Sequence, residues 1–312
     1  MRLRFAGSAL VQATVPALAH LRARPAAQPG LTVYLCDSVS TTTAIPPPTW
    51  TLDEQEWRGE VPGMSDARFH TSYHPYARAL NMMDARSNEA VFWVHDAREL
   101  HFGMKGAPIR DILHWWLAEH GVWMVHGAGV GMPQGGVLLT GRGSSGKSTT
   151  ALLCVRAGMG YAGDDHVAVQ AEPGSLLFSL YNTAQLDLDG RYGFSELVPG
   201  IRDPECLPVA KVSVFLHEQQ PGSLVRGFPL QALVALRVTD REESHLRVAS
   251  RSEMLLALAP GSVYALPGAG DQALRGMASL VQRVPCYLLE LGIDLERVPR
   301  LIEGLLEGPM AA

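Results

Sequence analysis

Charge is scarce in this chain, and neither sign prevails. Charged residues make up 18% of 312 positions, with 26 Lys and Arg against 31 Asp and Glu and a net charge of −5. That balance offers no electrostatic footprint for nucleic acid. Long apolar runs are missing too: none approaches the roughly 20 residues that cross a bilayer, so no membrane partner is expected. Four cysteines (Cys36, Cys154, Cys206 and Cys286) lack the spacing of metal ligands. Reduced, structural cysteines are the expectation, in a cytoplasmic setting. No internal repeat and no low-complexity segment is found. The 47% hydrophobic content describes an ordinary globular chain, long enough for one large domain or two modest ones.

Against these absences stands one strong local pattern. Gly141-Arg142-Gly143-Ser144-Ser145-Gly146-Lys147-Ser148 is a G-x-x-x-x-G-K-[ST] phosphate loop. Ahead of it, Gly136 to Thr140 reads as a short apolar strand. Behind it, Thr149 to Ala157 reads as a helix stopped by Gly158. The glycines let successive amides turn toward a phosphate, and the helix N-terminus adds its dipole. Gly141, Gly143, Ser144, Ser145, Gly146 and Thr149 are the candidate nucleotide-binding positions. Lys147 is expected to reach the β- and γ-phosphates of ATP, and the Ser148 hydroxyl to complete a Mg²⁺ shell.

The rest of the chain divides by texture. Residues 1–107 carry proline and glycine clusters, including Pro46-Pro47-Pro48, and strand-like runs at Leu31 to Leu35 and Ala90 to Val94. They are expected to form an irregular, β-containing accessory region. Arg2 and Arg4 before the apolar Phe5 to Ala19 resemble a secretion signal, but Ser8, Gln12 and Thr14 interrupt it. An opening strand, Met1 to Ala6, followed by a short helix is the plainer account. Residues 108–312 are expected to form the loop-bearing domain. Pro108 opens an amphipathic helix with Ile109, Ile112, Leu113, Trp116 and Leu117 on one face, ended by Gly121. Strands are expected at Val122 to Val125, Met159 to Ala162, Val167 to Val169, Leu230 to Val238 and Cys286 to Leu291. Helices are expected at Glu253 to Leu258, Gln272 to Arg283 and Leu295 to Leu306, the last with Pro299 in its first turn after an Asp294 cap. The sum is an α/β layer fold.

A phosphate loop does not by itself separate a kinase from a switch or a motor. Asp164-Asp165 and His126 narrow the choice. The aspartates close the strand that follows the loop's helix, after a single Gly163, which places them near the bound phosphates. Phosphoryl transfer to a hydroxyl needs one carboxylate for the metal and one for the proton, and adjacent residues at a strand end splay apart. Two close carboxylates also push one pKa upward. His126 ends an apolar strand and is expected to face the same pocket and orient the base.

The order His126-Gly127, Gly141 to Ser148, Arg156-Ala157-Gly158 and Asp164-Asp165-His166-Val167 resembles the catalytic domain of HPr serine kinase/phosphorylase. It is similar, too, to the HPr-kinase-like proteins of peptide-modification gene clusters, including lasso-peptide precursor kinases. The resemblance spans Val125 to Val169. It implies a P-loop core of the HPr kinase/phosphoenolpyruvate carboxykinase type, with Asp164 as acid/base, Asp165 assisting the metal beside Ser148, and His126 in support. The family's Glu-x-Arg-Gly-x-Gly signature is missing: Leu186 to Pro199 offers only Asp187, Asp189, Gly190 and Arg191. A kinase acting on a serine or other hydroxyl of a peptide, protein or small molecule therefore fits better than a sugar-uptake regulator. Two alternatives stand beside it: an ATP-binding switch without phosphate transfer, and a carboxykinase-like enzyme. Lys211, Arg226 and Arg142 are weaker candidates for contacts with phosphate. The chain leaves room for a homo-oligomer.

Overall fold

A computed structural model describes residues 1–45, 58–187, 194, 197, 211–268 and 270–307. Pro46-Pro47-Pro48, Cys206 and most of the stretch from Leu186 to Pro199 lie outside the described residues, as does the side chain of Lys211. The fold is mixed α/β with several sheets, in two compact units. The first comprises residues 1–120 with 264–268, the second 121–263 with 270–307 among the described residues.

The first unit holds β1 (Arg2–Ala6), α1 (Ala9–Leu18), β2 (Thr32–Asp37), α2 (Ser38–Thr41), β3 (Phe69–His74), β4 (Ala79–Asp84), β5 (Glu89–Val94), α3 (Phe102–Gly106) and α4 (Arg110–Ala118). Its sheet runs β1-β2-β5-β4-β3. The first three strands are parallel, and β5-β4-β3 form an antiparallel meander. This unit extends to His120, past the change in texture at 107, because α4 is anchored to β3. Asp111 on α4 is 2% exposed and accepts a hydrogen bond from Ser72 Oγ at 2.7 Å. His74 Nε2 meets the same oxygen at 2.7 Å, and Arg110 reaches the other at 3.0 Å. Trp115 stacks on His70 and donates from Nε1 to Pro267 O at 3.0 Å. The helix begins at Arg110 rather than Pro108, since Ile109 adopts the left-handed conformation at φ 51° and cannot continue a helix from Pro108.

The second unit holds β6 (Trp123–His126), β7 (Ala128–Met132), β8 (Gly135–Thr140), α5 (Lys147–Arg156), β9 (Gly160–Gly163), β10 (His166–Gln170), β11 (Leu176–Phe178), β12 (Thr183–Asp187) and β13 (Lys211–Phe215). After these come α6 (Leu216–Gln219), β14 (Gly227–Val238), β15 (His245–Val248), α7 (Arg251–Val263), α8 (Gly270–Arg283), β16 (Cys286–Leu291) and α9 (Val298–Glu307). The main sheet has nine strands. Its path is β6-β10-β11-β14-β8-β7-β9, with β16 on the other side of β14 and β15 on β16. A two-stranded β12-β13 sheet stands apart.

Within the main sheet β8, β14 and β16 are parallel. Every residue of β8 is buried, which explains its unbroken apolar run: a parallel strand is covered on both faces. Leu152, Cys154 and Val155 of α5 pack with Val137 and Leu139 of β8, Val234 of β14, Leu289 of β16 and Ile302 of α9. Each such side chain contributes about 1.5–3 kcal/mol by leaving water. The base of α5 is thereby fixed where β8 ends. Helix α9 starts at Val298, three residues later than expected. Asp294 accepts from the Glu296 amide and so caps the preceding turn, while Pro299 is harmless as the second helical residue.

Candidate functional site

The site is built where β8 gives way to α5. Residues 141–146 make the connecting loop, and Thr150 N–H to Gly146 O is the first bond of the helix. Amides before Thr150 therefore face the open helix end, as at any helix N-terminus. Gly146 sits at φ 92°, and a Cβ there would meet Leu291 Cδ1 at 2.5 Å. Both the left-handed turn and the close approach to β16 exclude a side chain. Ser144, at φ 61°, and Gly143 are exposed at the loop's tip, and so is Arg142. Lys147 is 6% exposed, and its ammonium donates to Gly141 O and Arg142 O, both at 3.0 Å. Thr149 is half-buried in the first turn of α5. Ser145 Oγ is buried and has no hydrogen-bond partner among the described residues. A buried hydroxyl without a partner costs about 1–3 kcal/mol, and an anion in the loop would satisfy it. The loop thus suits a phosphate on its own geometry.

The carboxylates lie between β9 and β10. Strand β9 pairs with β7 and β10 with β6, both antiparallel, and the chain bends between β9 and β10 at Asp164 and Asp165 without changing direction. Asp165 lies at φ 68°, an uncommon conformation for a non-glycine residue, and this twist sends the two side chains in different directions. Asp164 is 3% exposed. It accepts from the Ser148 hydroxyl, from the Asp165 amide at 2.8 Å and from the Gln185 amide at 3.3 Å. Burial raises its pKa above the usual carboxylate range, and the Asp165 charge adds to this. The bonds from Ser148, Gln185 and Asp165 oppose the rise without cancelling it.

Asp165 points elsewhere. Its side chain is 45% exposed, with His126 Nε2 at 3.2 Å from Oδ1 and His166 Nδ1 at 3.2 Å from Oδ2. The His166 approach is of ion-pair length but off line for a hydrogen bond. Desolvation works to raise the Asp165 pKa, but the two imidazoles outweigh it and hold the group well below the usual range. His126 and His166 are direct cross-strand partners in the antiparallel β6-β10 pair. The His126 amide donates to Ser262 Oγ at 3.0 Å, and Ser262 Oγ in turn donates to Leu258 O at 2.8 Å. Helix α7 passes so close that a Cβ on Gly261 would lie 2.5 Å from His126 Nδ1.

Of the residues marked in the sequence, Ser148 meets Asp164 and His126 meets Asp165, while the Lys147 ammonium lies on the Gly141 and Arg142 carbonyls. Gly261, Ser262 and Gln185 were not singled out, and His166 figured only within the run Asp164-Asp165-His166-Val167 with no role of its own. A histidine at the start of a strand carries no mark of function until its cross-strand partner is known. Oxygen donors for Mg²⁺ are at hand in Ser148 and the aspartates. No cluster of three or more His, Cys, Asp or Glu side chains able to hold a metal occurs among the described residues. A nucleotide-bound Mg²⁺ needs just one or two protein oxygens, so the donor set fits the ion. Among the described residues, no helix is long and apolar enough to cross a membrane.

No model of a known protein family matches this chain, and no curated protein matches it. Among solved structures, the Hpr(Ser) kinase/phosphatase from Coxiella burnetii is similar over 60% of this chain and 93% of its own. Identity there is 14% and the TM-score 0.32. A likeness of that size is silent on activity.

Proposed function

We propose that the second unit is an ATP-dependent kinase with a P-loop core of the HPr kinase/phosphoenolpyruvate carboxykinase type, transferring the γ-phosphoryl group to a hydroxyl. The observation that carries this reading is the hydrogen bond between Ser148, at the loop's helix end, and Asp164 at the bend between β9 and β10. It joins the phosphate-binding pattern to a carboxylate pair, and phosphoryl transfer to a hydroxyl requires both. The loop amides and Ser145 would hold the phosphates. Lys147 would exchange its two carbonyl partners for the β- and γ-phosphate oxygens. Mg²⁺, held by Ser148 and an aspartate of the pair, would neutralise charge developing on the transferred group. One carboxylate orients the acceptor hydroxyl and takes its proton, while His126 fixes the geometry.

The acceptor class is a serine or other hydroxyl of a peptide, protein or small molecule, in the cytoplasm where ATP is available; a homo-oligomer is compatible with the reading. The test is incubation of the purified protein with γ-labelled ATP, Mg²⁺ and a mixture of serine- and threonine-containing peptides. Covalent label on a hydroxyl, lost with Lys147→Ala, supports a kinase. Nucleotide binding without label points to a switch, and label on small carboxylic acids points to carboxykinase chemistry.

A further inference from the structure

Resting on the phosphotransferase reading, we infer that Asp165, not Asp164, receives the acceptor's proton, and that His166 joins His126 as a positioning residue for that carboxylate. This reverses the order of roles that the resemblance to HPr kinases implies. Three observations carry it.

First, Asp164 is committed. Its oxygens already accept from the Ser148 hydroxyl and from the Asp165 and Gln185 amides, and the residue is 3% exposed. Ser148 is the metal-side hydroxyl of the loop pattern, which places Asp164 with the metal. Second, Asp165 is open. Its side chain is 45% exposed, and each oxygen meets a single imidazole. A carboxylate has about four lone-pair sites, so room remains for an acceptor O–H. Third, the clamp is built and not incidental. His126 and His166 face each other across the β6-β10 ladder, and the His126 ring is pressed against α7 at Gly261. His166 is itself 7% exposed, which holds its ring in place. The left-handed turn at Asp165 is what delivers the carboxylate between the two rings.

In the step proposed, the acceptor O–H bond breaks and its proton passes to an Asp165 oxygen. The freed electron pair bonds to the γ-phosphorus of ATP. The bond from that phosphorus to the bridging oxygen breaks, and ADP leaves with those electrons. In a loose transition state the carboxylate chiefly aims the hydroxyl, so accurate placement by two rings matters more than basicity.

Two readouts test the assignment: Mn²⁺-dependent binding of ADP, and transfer from γ-labelled ATP to the peptide mixture and to water. Asp165→Asn is expected to bind Mn²⁺·ADP within about twofold of the unsubstituted protein while transfer falls by roughly 100-fold or more. Asp164→Asn is expected to weaken Mn²⁺·ADP by about tenfold or more. His166→Ala is expected to lower kcat by about tenfold with KM for ATP unchanged. The assignment is overturned if Asp165→Asn transfers normally while Asp164→Asn loses transfer with Mn²⁺·ADP binding intact. It is overturned equally if His166→Ala is silent. Failure of the unsubstituted protein to transfer phosphate at all would instead sink the kinase reading.

Discussion

Gly261→Ala is a small change whose sign distinguishes a tightly packed His126 from a loosely held one. Gly261 lies inside α7, at a backbone angle open to any residue. In a helix interior, Ala is worth about 0.8–1.0 kcal/mol over Gly, so the helix alone would gain stability. The added methyl, however, would lie 2.5 Å from His126 Nδ1, 3.1 Å from Cγ and 3.2 Å from Cβ. Turning the ring about its last torsion cannot relieve contacts that include Cβ, so the whole side chain or the helix must shift by around 1 Å to reach ordinary contact distance near 3.5–4 Å. Overpacking of this kind costs about 1–3 kcal/mol, which erases the helical gain and leaves a net loss of up to about 2 kcal/mol. The same shift would stretch the 3.2 Å contact between His126 and Asp165 beyond hydrogen-bonding range. A displacement of 1 Å at a positioned catalytic group costs about 100-fold in rate. Denaturant unfolding and single-turnover transfer from γ-labelled ATP, measured on one preparation, give both numbers. An Ala variant that is more stable than the parent and transfers at the parent rate would refute the packing argument.

Gly146→Ala should abolish nucleotide binding and lower stability by about 2–4 kcal/mol, because strain at φ 92° adds to the collision with Leu291; calorimetric titration with ADP and thermal unfolding check it. Lys147→Met should weaken ATP by at least about tenfold with little change for adenosine, since it removes a phosphate contact and leaves any base contact alone. In the first unit, Asp111→Ala should cost about 3–5 kcal/mol by stranding Ser72, His74 and Arg110 around a vacated buried carboxylate, as read by denaturant unfolding. Asp111 also sets a pH dependence. Burial works to raise its pKa, but the Arg110 charge and His74 outweigh it and hold the group below the ordinary range. A depressed carboxylate stabilises the fold fully above the unfolded value near 3.9, and that contribution fades as pH falls toward the folded value. The stability gap between the parent and Asp111→Asn should therefore narrow below about pH 4 and stay constant above it. A gap that widens on acidification would contradict the sign.

What the sequence made legible was local. The phosphate loop is a contiguous eight-residue pattern between an apolar run and a helix, and every part of that signal lies within one turn of structure. The strands β8, β14 and β16 announce themselves because the parallel, doubly covered stretch of each is mostly apolar. Strands β3 and β4 were missed for the opposite reason. Ser72 and Asn81 are buried polar residues in them, made tolerable by each other and by Asp111, which lies 30 or more positions away. Strand β7 was passed over because Ala128 to Met132 contains two glycines; it is buried between β8 and β9, where close backbone approach leaves no room for larger side chains. The carboxylate pair was visible as a pair, yet the separate surroundings of its two members were not. That turns on one torsion, at Asp165, and on the register that sets His166 against His126. Neither is written in composition or spacing.

The account's central claim is a convergence: the loop and the carboxylates at the β9-β10 bend act on one γ-phosphate. A crystal structure with Mg²⁺ and a non-hydrolysable ATP analogue measures it directly. The account predicts the β- and γ-phosphates on the loop amides, Lys147 released from Gly141 and Arg142 to meet them, and an Asp165 oxygen within about 3–3.5 Å of an in-line acceptor position. A nucleotide seated away from residues 141–148, or a γ-phosphate with Asp164 and Asp165 both turned from it, would contradict the account.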